Sequence, residues 1–167
     1  MSSLTGIDLH SLYAAHRLPL VRLAVLLVDD VATAEDVVQD AFVGLARHTG
    51  SMRDPNAALA YLRRSVVNGA RSTLRRRGTV RRFLARATEP PPEPPADGDV
   101  LRADTNREVL DAVRRLPPRM QEVLALRYWS DLTEAQIAHA LGISEGTVKS
   151  TASRALDRLE TLLEGRR

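Results

Sequence analysis

Five of the nine prolines lie within six residues of one another, in the stretch ATEPPPEPPADGD at 87–99, which also carries four acids. Proline lacks a backbone N–H and holds φ near the polyproline value, so neither a helix interior nor a central strand passes through such a run. The stretch reads as a linker over 85–104. It leaves a first unit, 1–84, and a second, 105–167, each of a size at which compact helical modules fold. The other reading is one long loop inside a single domain, but each flank carries its own apolar periodicity.

That periodicity is helical throughout. In the first unit Leu9, Leu12, Tyr13, His16, Leu20, Leu23, Ala24 and Leu27 recur at steps of three and four, up to Asp29 and Asp30. Thr33 is the expected N-cap of a second helix, with Val37, Val38, Ala41, Phe42 and Leu45 on its apolar face. After a loop from His48 to Asn56, a third helix turns Leu59, Leu62, Val66, Val67, Ala70 and Leu74 inward. In the second unit Val109, Leu110, Val113 and Leu116 form a stripe stopped by Pro117, and Pro118 opens the next helix. Thr133 with Gln136 makes a capping box, Gly142 suits a left-handed helix end, and Ser144 caps the helix that follows. Two short helices joined across L-G-I-S spell a helix-turn-helix. The fold class expected is all-α: two small helical domains joined by a flexible Pro-rich linker, the second with a helix-turn-helix.

The chain has no cysteine, which removes disulfides and thiolate metal sites. Its four histidines show no ligand spacing, and no P-loop, GxSxG or HExxH motif is present, so neither an enzyme nor a cofactor protein is expected. The N-terminal MSSLTGIDLH lacks the order of a signal peptide, and the longest apolar run, Leu23 to Val28, is too short to span a bilayer. The expectation is a cytoplasmic protein without membrane insertion.

Net charge is only +3, but its distribution is uneven. Between Pro55 and Thr88 stand nine arginines (63, 64, 71, 75, 76, 77, 81, 82 and 86) and no acid. Such a segment repels itself unless a polyanion is near, which points to nucleic acid, with Tyr61 and Asn68 available to stack on or bond to exposed bases. A solvated basic face or a membrane-surface helix is the competing reading. Residues 23–46 have the opposite character, with Asp29, Asp30, Glu35, Asp36 and Asp40 and no Lys or Arg. They form either plain solvated surface or a dock for a basic protein. In the last helix, an inward Val148 and Ala152 turn Gly146, Lys149, Ser150, Ser153 and Arg154 outward at 100° per residue. That small, hydrogen-bonding surface fits a DNA major groove and fits an ordinary solvated face equally well.

Taken together, AEDVVQDAF (34–42), AYLRRSVVNGARSTLRRR (60–77) and LPPRMQEVLALRYWSDLTEAQIAHALGISEGTVKS (116–150) resemble the extracytoplasmic-function sigma factors, the small two-domain class of the sigma-70 family. The resemblance covers nearly the whole chain, in order, around the linker. It implies docking on the β′ clamp helices of core RNA polymerase through Asp36, Gln39 and Asp40. It further implies that Tyr61, Arg64, Asn68, Arg71, Arg75 and Arg76 hold the melted −10 element. Thr147, Lys149, Ser150, Ser153 and Arg154 would read the −35 duplex while the second unit rests on the β flap. Promoter DNA and core polymerase are the implied partners, a cognate anti-sigma factor is a third that the family allows, and no cofactor is implied. Two positions depart from the pattern and are expected at the DNA surface: Ser72, where many members have aspartate, and Thr151, where many have arginine. A helix-turn-helix regulator acting without polymerase would account for 131–159 but would leave the acidic block and the Arg-rich helix without a role. A recombinase or nuclease fragment would lack its nucleophile and carboxylates, and an anti-sigma or adaptor protein would not need two DNA faces.

Overall fold

A computed structural model describes residues 6–48, 50–85 and 104–165; the linker read at 85–104 falls almost wholly outside the described residues. The elements are α1 (Leu9–Val28), α2 (Val31–His48), α3 (Pro55–Ala85), α4 (Asp104–Arg114), α5 (Pro118–Leu124), a π-helical turn (Ala125–Trp129), α6 (Glu134–Leu141) and α7 (Glu145–Glu164). No strand occurs among the described residues.

The first three helices pack on one another. Asp8 caps α1 by accepting from the backbone N–H of His10 and Ser11. The helix ends at Asp29, whose φ of 78° is the left-handed turn that closes it. Among the described residues α1 is the one helix that by length and composition would qualify to cross a membrane, but half of that stretch is buried inside the protein. It is a core helix, with every residue from Leu23 to Val28 buried. Val37, Val38, Ala41, Phe42 and Leu45 of α2 are buried as their spacing predicts, as are Leu62, Val66, Val67 and Ala70 of α3, while Leu59 and Leu74 are half-buried. Helices α2 and α3 come close at two glycines: a Cβ on Gly69 would meet Val37 Cγ1 at 3.0 Å, and one on Gly44 would meet the Tyr61 hydroxyl at 3.0 Å.

One helix start differs from expectation. Helix α2 begins at Val31, not after Thr33, because Asp30 Oδ1 accepts from the Thr33 N–H at 2.8 Å and so supplies the cap. Thr33 Oγ1 instead accepts from Arg77 of α3, which also donates to the Val28 carbonyl and to Asp30 Oδ2 at 2.9 Å. Arg77 therefore pins the α1–α2 corner. Burial works against ionisation of Asp30, but the hydrogen bonds from Thr33 and Arg77 outweigh it and hold the carboxyl below its ordinary value of 3.8. A native pKa below the unfolded one means that this stabilisation is complete above about pH 4 and is lost as pH falls through the native value. Asp30→Asn is expected to flatten the acid limb of stability below about pH 4, as read by urea unfolding at a series of pH values. An unchanged acid limb would show that the corner does not titrate.

In the second unit the local signals fold as read. Thr133 and Gln136 form the capping box, Gly142 ends α6 with φ 66°, and Ser144 Oγ accepts from the Thr147 N–H. Nothing lies within 4 Å of a Cβ placed on Gly142, so a side chain there meets backbone strain alone. Gly142→Ala should cost about 1–2 kcal/mol and Gly142→Asn clearly less, since asparagine tolerates the left-handed region. The midpoint of urea unfolding checks the order, which a larger loss for Asn would contradict. The π-helical turn carries no local signature; it re-aims the chain from α5 toward α6, with the Ser130 N–H bonded to the Ala125 carbonyl.

The two units share one core. Leu110, Val123, Ala125, Leu126, Leu132 and Ile137 of the second unit join the buried cluster built by α1, α2 and α3. Helix α1 packs on α4, α5 and the π-helical turn, and α3 packs on α6.

Candidate nucleic-acid interface

Helix α7 presents the first face. With Val148, Ala152 and Ala155 buried, Lys149, Ser150, Ser153 and Arg154 are exposed, as the 100° step predicts, and so is Thr147, which the family resemblance added. Gly146 is exposed as well, so one position of the first turn presents no side chain. Thr147 Oγ1 lies 2.8 Å from the capping Ser144 Oγ, and Ser150 Oγ donates to the Thr147 carbonyl at 3.2 Å. Arg154 Nε donates to the Ser150 carbonyl at 3.3 Å, which lays its guanidinium along the helix and leaves its other donors free. Lys149 Nζ sits 3.6 Å from Glu134 Oε2, and Glu134 Oε1 sits 3.5 Å from Arg127 Nη1. Glu134 thus joins two cations beside the exposed face. Sequence reasoning did not single Glu134 out, since nothing in its local spacing shows that Lys149 and Arg127 are brought to it. The expectation that Thr151 lies at the DNA surface is corrected: it is 3% exposed. Position 151 follows Val148 by three residues, which sets it within about 60° of that inward side chain.

A second face runs along α3. Arg64, Asn68, Arg75 and Arg76 are exposed, and Ser72 is half-buried with its hydroxyl 3.5 Å from Arg75 Nη2. Tyr61 continues the same stripe one turn earlier, half-buried, with its ring 5.7 Å from the His48 ring and its hydroxyl over Gly44. Part of its surface is therefore committed to α2. Three arginines of the segment leave this face. Arg77 pins the α1–α2 corner. Arg63 lines a cleft of about 520 Å³ between α3 and α6, where burial pushes its pKa below the ordinary guanidinium value. Arg71 is half-buried and turned to α5, donating from Nε and Nη2 to the two carboxylate oxygens of Glu122 at 2.5 and 2.7 Å. That bond raises the Arg71 pKa against the opposing effect of burial.

The third face is acidic. Asp36, Gln39 and Asp40 are exposed on α2, opposite its buried apolar stripe, and neither aspartate forms an ion pair among the described residues. Val43, 46% exposed, lies one turn beyond Gln39 and Asp40 and gives this acidic surface an apolar centre. The i, i+3, i+4 step from Asp36 already leads to it, but a valine in a helix otherwise rich in core residues was not separable from them by composition.

These faces sit in a chain whose relatives are known. The sequence profile of Sigma-70 region 2 matches residues 12–80 and that of Sigma-70 region 4 matches residues 106–159. An RNA polymerase sigma-E factor of Streptomyces coelicolor is 36% identical over 148 residues, spanning 88% of this chain and 81% of the relative. The ECF RNA polymerase sigma factor SigM of Mycobacterium tuberculosis is 34% identical over 154 residues, 91% of this chain and 75% of the relative. Among solved structures, the sigma factor RpoE in complex with the anti-sigma factor NepR from Bartonella quintana is 25% identical, with a TM-score of 0.76 over 96% of this chain and 99% of that one. With both regions matched in order and relatives aligned over most of their length, the chain belongs to the ECF RNA polymerase sigma factors of the sigma-70 family.

Proposed function

We propose that this chain confers promoter specificity on core RNA polymerase at transcription initiation, working in the cytoplasm and carrying out no catalysis of its own. The observation that carries the proposal is the exposed face of α7, five small or cationic side chains on the second helix of a helix-turn-helix, clear of the core beneath. Thr147, Lys149, Ser150, Ser153 and Arg154 contact base edges and phosphates of the −35 duplex. Arg64, Asn68, Arg75 and Arg76, with Arg71 and the free side of Tyr61, hold the melted −10 strand, so that unstacked bases are stabilised by the protein while polymerase makes RNA. Asp36, Gln39 and Asp40 dock on the β′ clamp helices, and the second unit rests on the β flap. The working units are 1–84 and 105–167, joined across 85–104. An anti-sigma factor is a further partner, as for the Bartonella relative. Run-off transcription from genomic promoter fragments tests the whole: promoter-specific transcripts are expected only when core polymerase and this chain are both present. Duplex binding without any gain in transcription would favour a polymerase-independent regulator instead.

A further inference from the structure

Glu122 is the one charged residue in the described core, 4% exposed on α5 of the second unit. A carboxylate removed from water costs several kcal/mol unless its oxygens are paired and bonded. One partner is local: Arg119, three residues earlier on the same helix and 43% exposed, reaches Oε2 at 3.3 Å. The other is Arg71 of the first unit, 51 residues away, which takes both oxygens in a two-pronged fork. Burial of Glu122 is therefore compensated chiefly across the boundary between the units. Arg114 of α4 also lies 3.4 Å from Asp29 at the end of α1, a longer and more exposed ion pair between the units.

By helical register Arg71 falls in line with Arg64, Asn68 and Arg75, although its side chain is turned from them to α5. Its Nε and one Nη are committed to Glu122, and its side chain is only 31% exposed. Three of its five N–H donors remain, but with Nε and Nη2 held at Glu122 the guanidinium is fixed against α5 and cannot swing onto a strand lying along the exposed face of α3. We infer that Glu122 is a latch: a positioning residue that acts through Arg71, holds the free chain closed and withholds one arginine from the −10 strand until the units part. The inference rests on the proposed −10 role of α3. A closed majority lowers the apparent affinity for DNA by the fraction of molecules that are open.

The native chain has no cysteine, so the pair Arg47→Cys and Glu160→Cys, at exposed positions of α2 and α7, takes a donor and an acceptor dye without further change. In this labelled full-length chain Glu122→Gln, which keeps the shape and removes the charge, should shift energy transfer away from the closed value. It should also tighten binding of labelled single-stranded oligothymidylate about tenfold, equivalent to about 1.4 kcal/mol. Arg71→Gln should shift transfer in the same sense with no gain in binding. This second variant leaves α5 untouched and keeps the test open if Glu122→Gln lowers the helicity of the second unit. Unchanged transfer in both variants overturns the latch and leaves the −10 role standing. Opening in both with no gain in binding for Glu122→Gln overturns the −10 role of Arg71 and leaves the closed-state contact.

Discussion

Reversing two charges on α2, Asp36→Arg together with Asp40→Arg, is expected to abolish binding to core RNA polymerase while the helices remain folded. Both side chains are exposed and neither is paired among the described residues, so the fold gives up no interaction when they change. Surface substitutions of this kind usually move stability by no more than about 0.5 kcal/mol. Like charges brought together at an interface cost several kcal/mol, roughly a hundredfold or more in affinity. Circular dichroism melting should therefore match the parent chain while co-purification with core polymerase disappears. Retained co-purification would remove α2 from the docking surface. It would then favour plain solvated surface, the other reading of the acidic run.

The two basic faces should separate by the step they affect. Lys149→Ala with Arg154→Ala is expected to weaken binding to −35 duplex about tenfold or more. The slope of log affinity against log salt should also fall by about one for each phosphate that is no longer neutralised. Both side chains stand on an exposed helix face whose buried side is built by other residues, so the helix-turn-helix itself should survive. Arg64→Ala, Arg75→Ala and Arg76→Ala combined should instead impair opening of the −10 region, with closed-complex binding much less affected. Filter binding across a salt series reads the first effect, and permanganate reactivity of −10 thymines reads the second. Equal damage to both steps from either set of substitutions would leave only a generic basic DNA binder.

Features governed by neighbours in the chain were legible before any tertiary packing was known. The Thr133–Gln136 box, the left-handed Gly142 and the Ser144 cap each act over three or four residues, and residue type alone specifies them. The outward set on α7 follows from Val148 and Ala152 by rotation, and the same rotation argues against Thr151 as a surface residue. Its assignment to the DNA face came from family pattern and not from periodicity. The start of α2 was misplaced because Asp30 and Thr33 are both good caps, and the choice between them was made by Arg77, more than forty residues further on. Nine arginines read as one polyanion footprint for a similar reason. Composition records their excess and says nothing of where each finds its counter-charge.

By itself the sequence determined an all-helical chain, the caps and turn that join α6 to α7, an exposed acidic surface on α2 and the outward set of α7, because these depend on short-range spacing and on charge. Only the tertiary structure decided that Arg63, Arg71 and Arg77 turn away from the exposed stripe of α3. It also decided that Leu110, Val123 and Leu126 close onto α1 in one continuous core. Pairing across 44 to 51 residues depends on how whole helices pack, and a buried carboxylate such as Glu122 takes its partner from whichever cation that packing delivers.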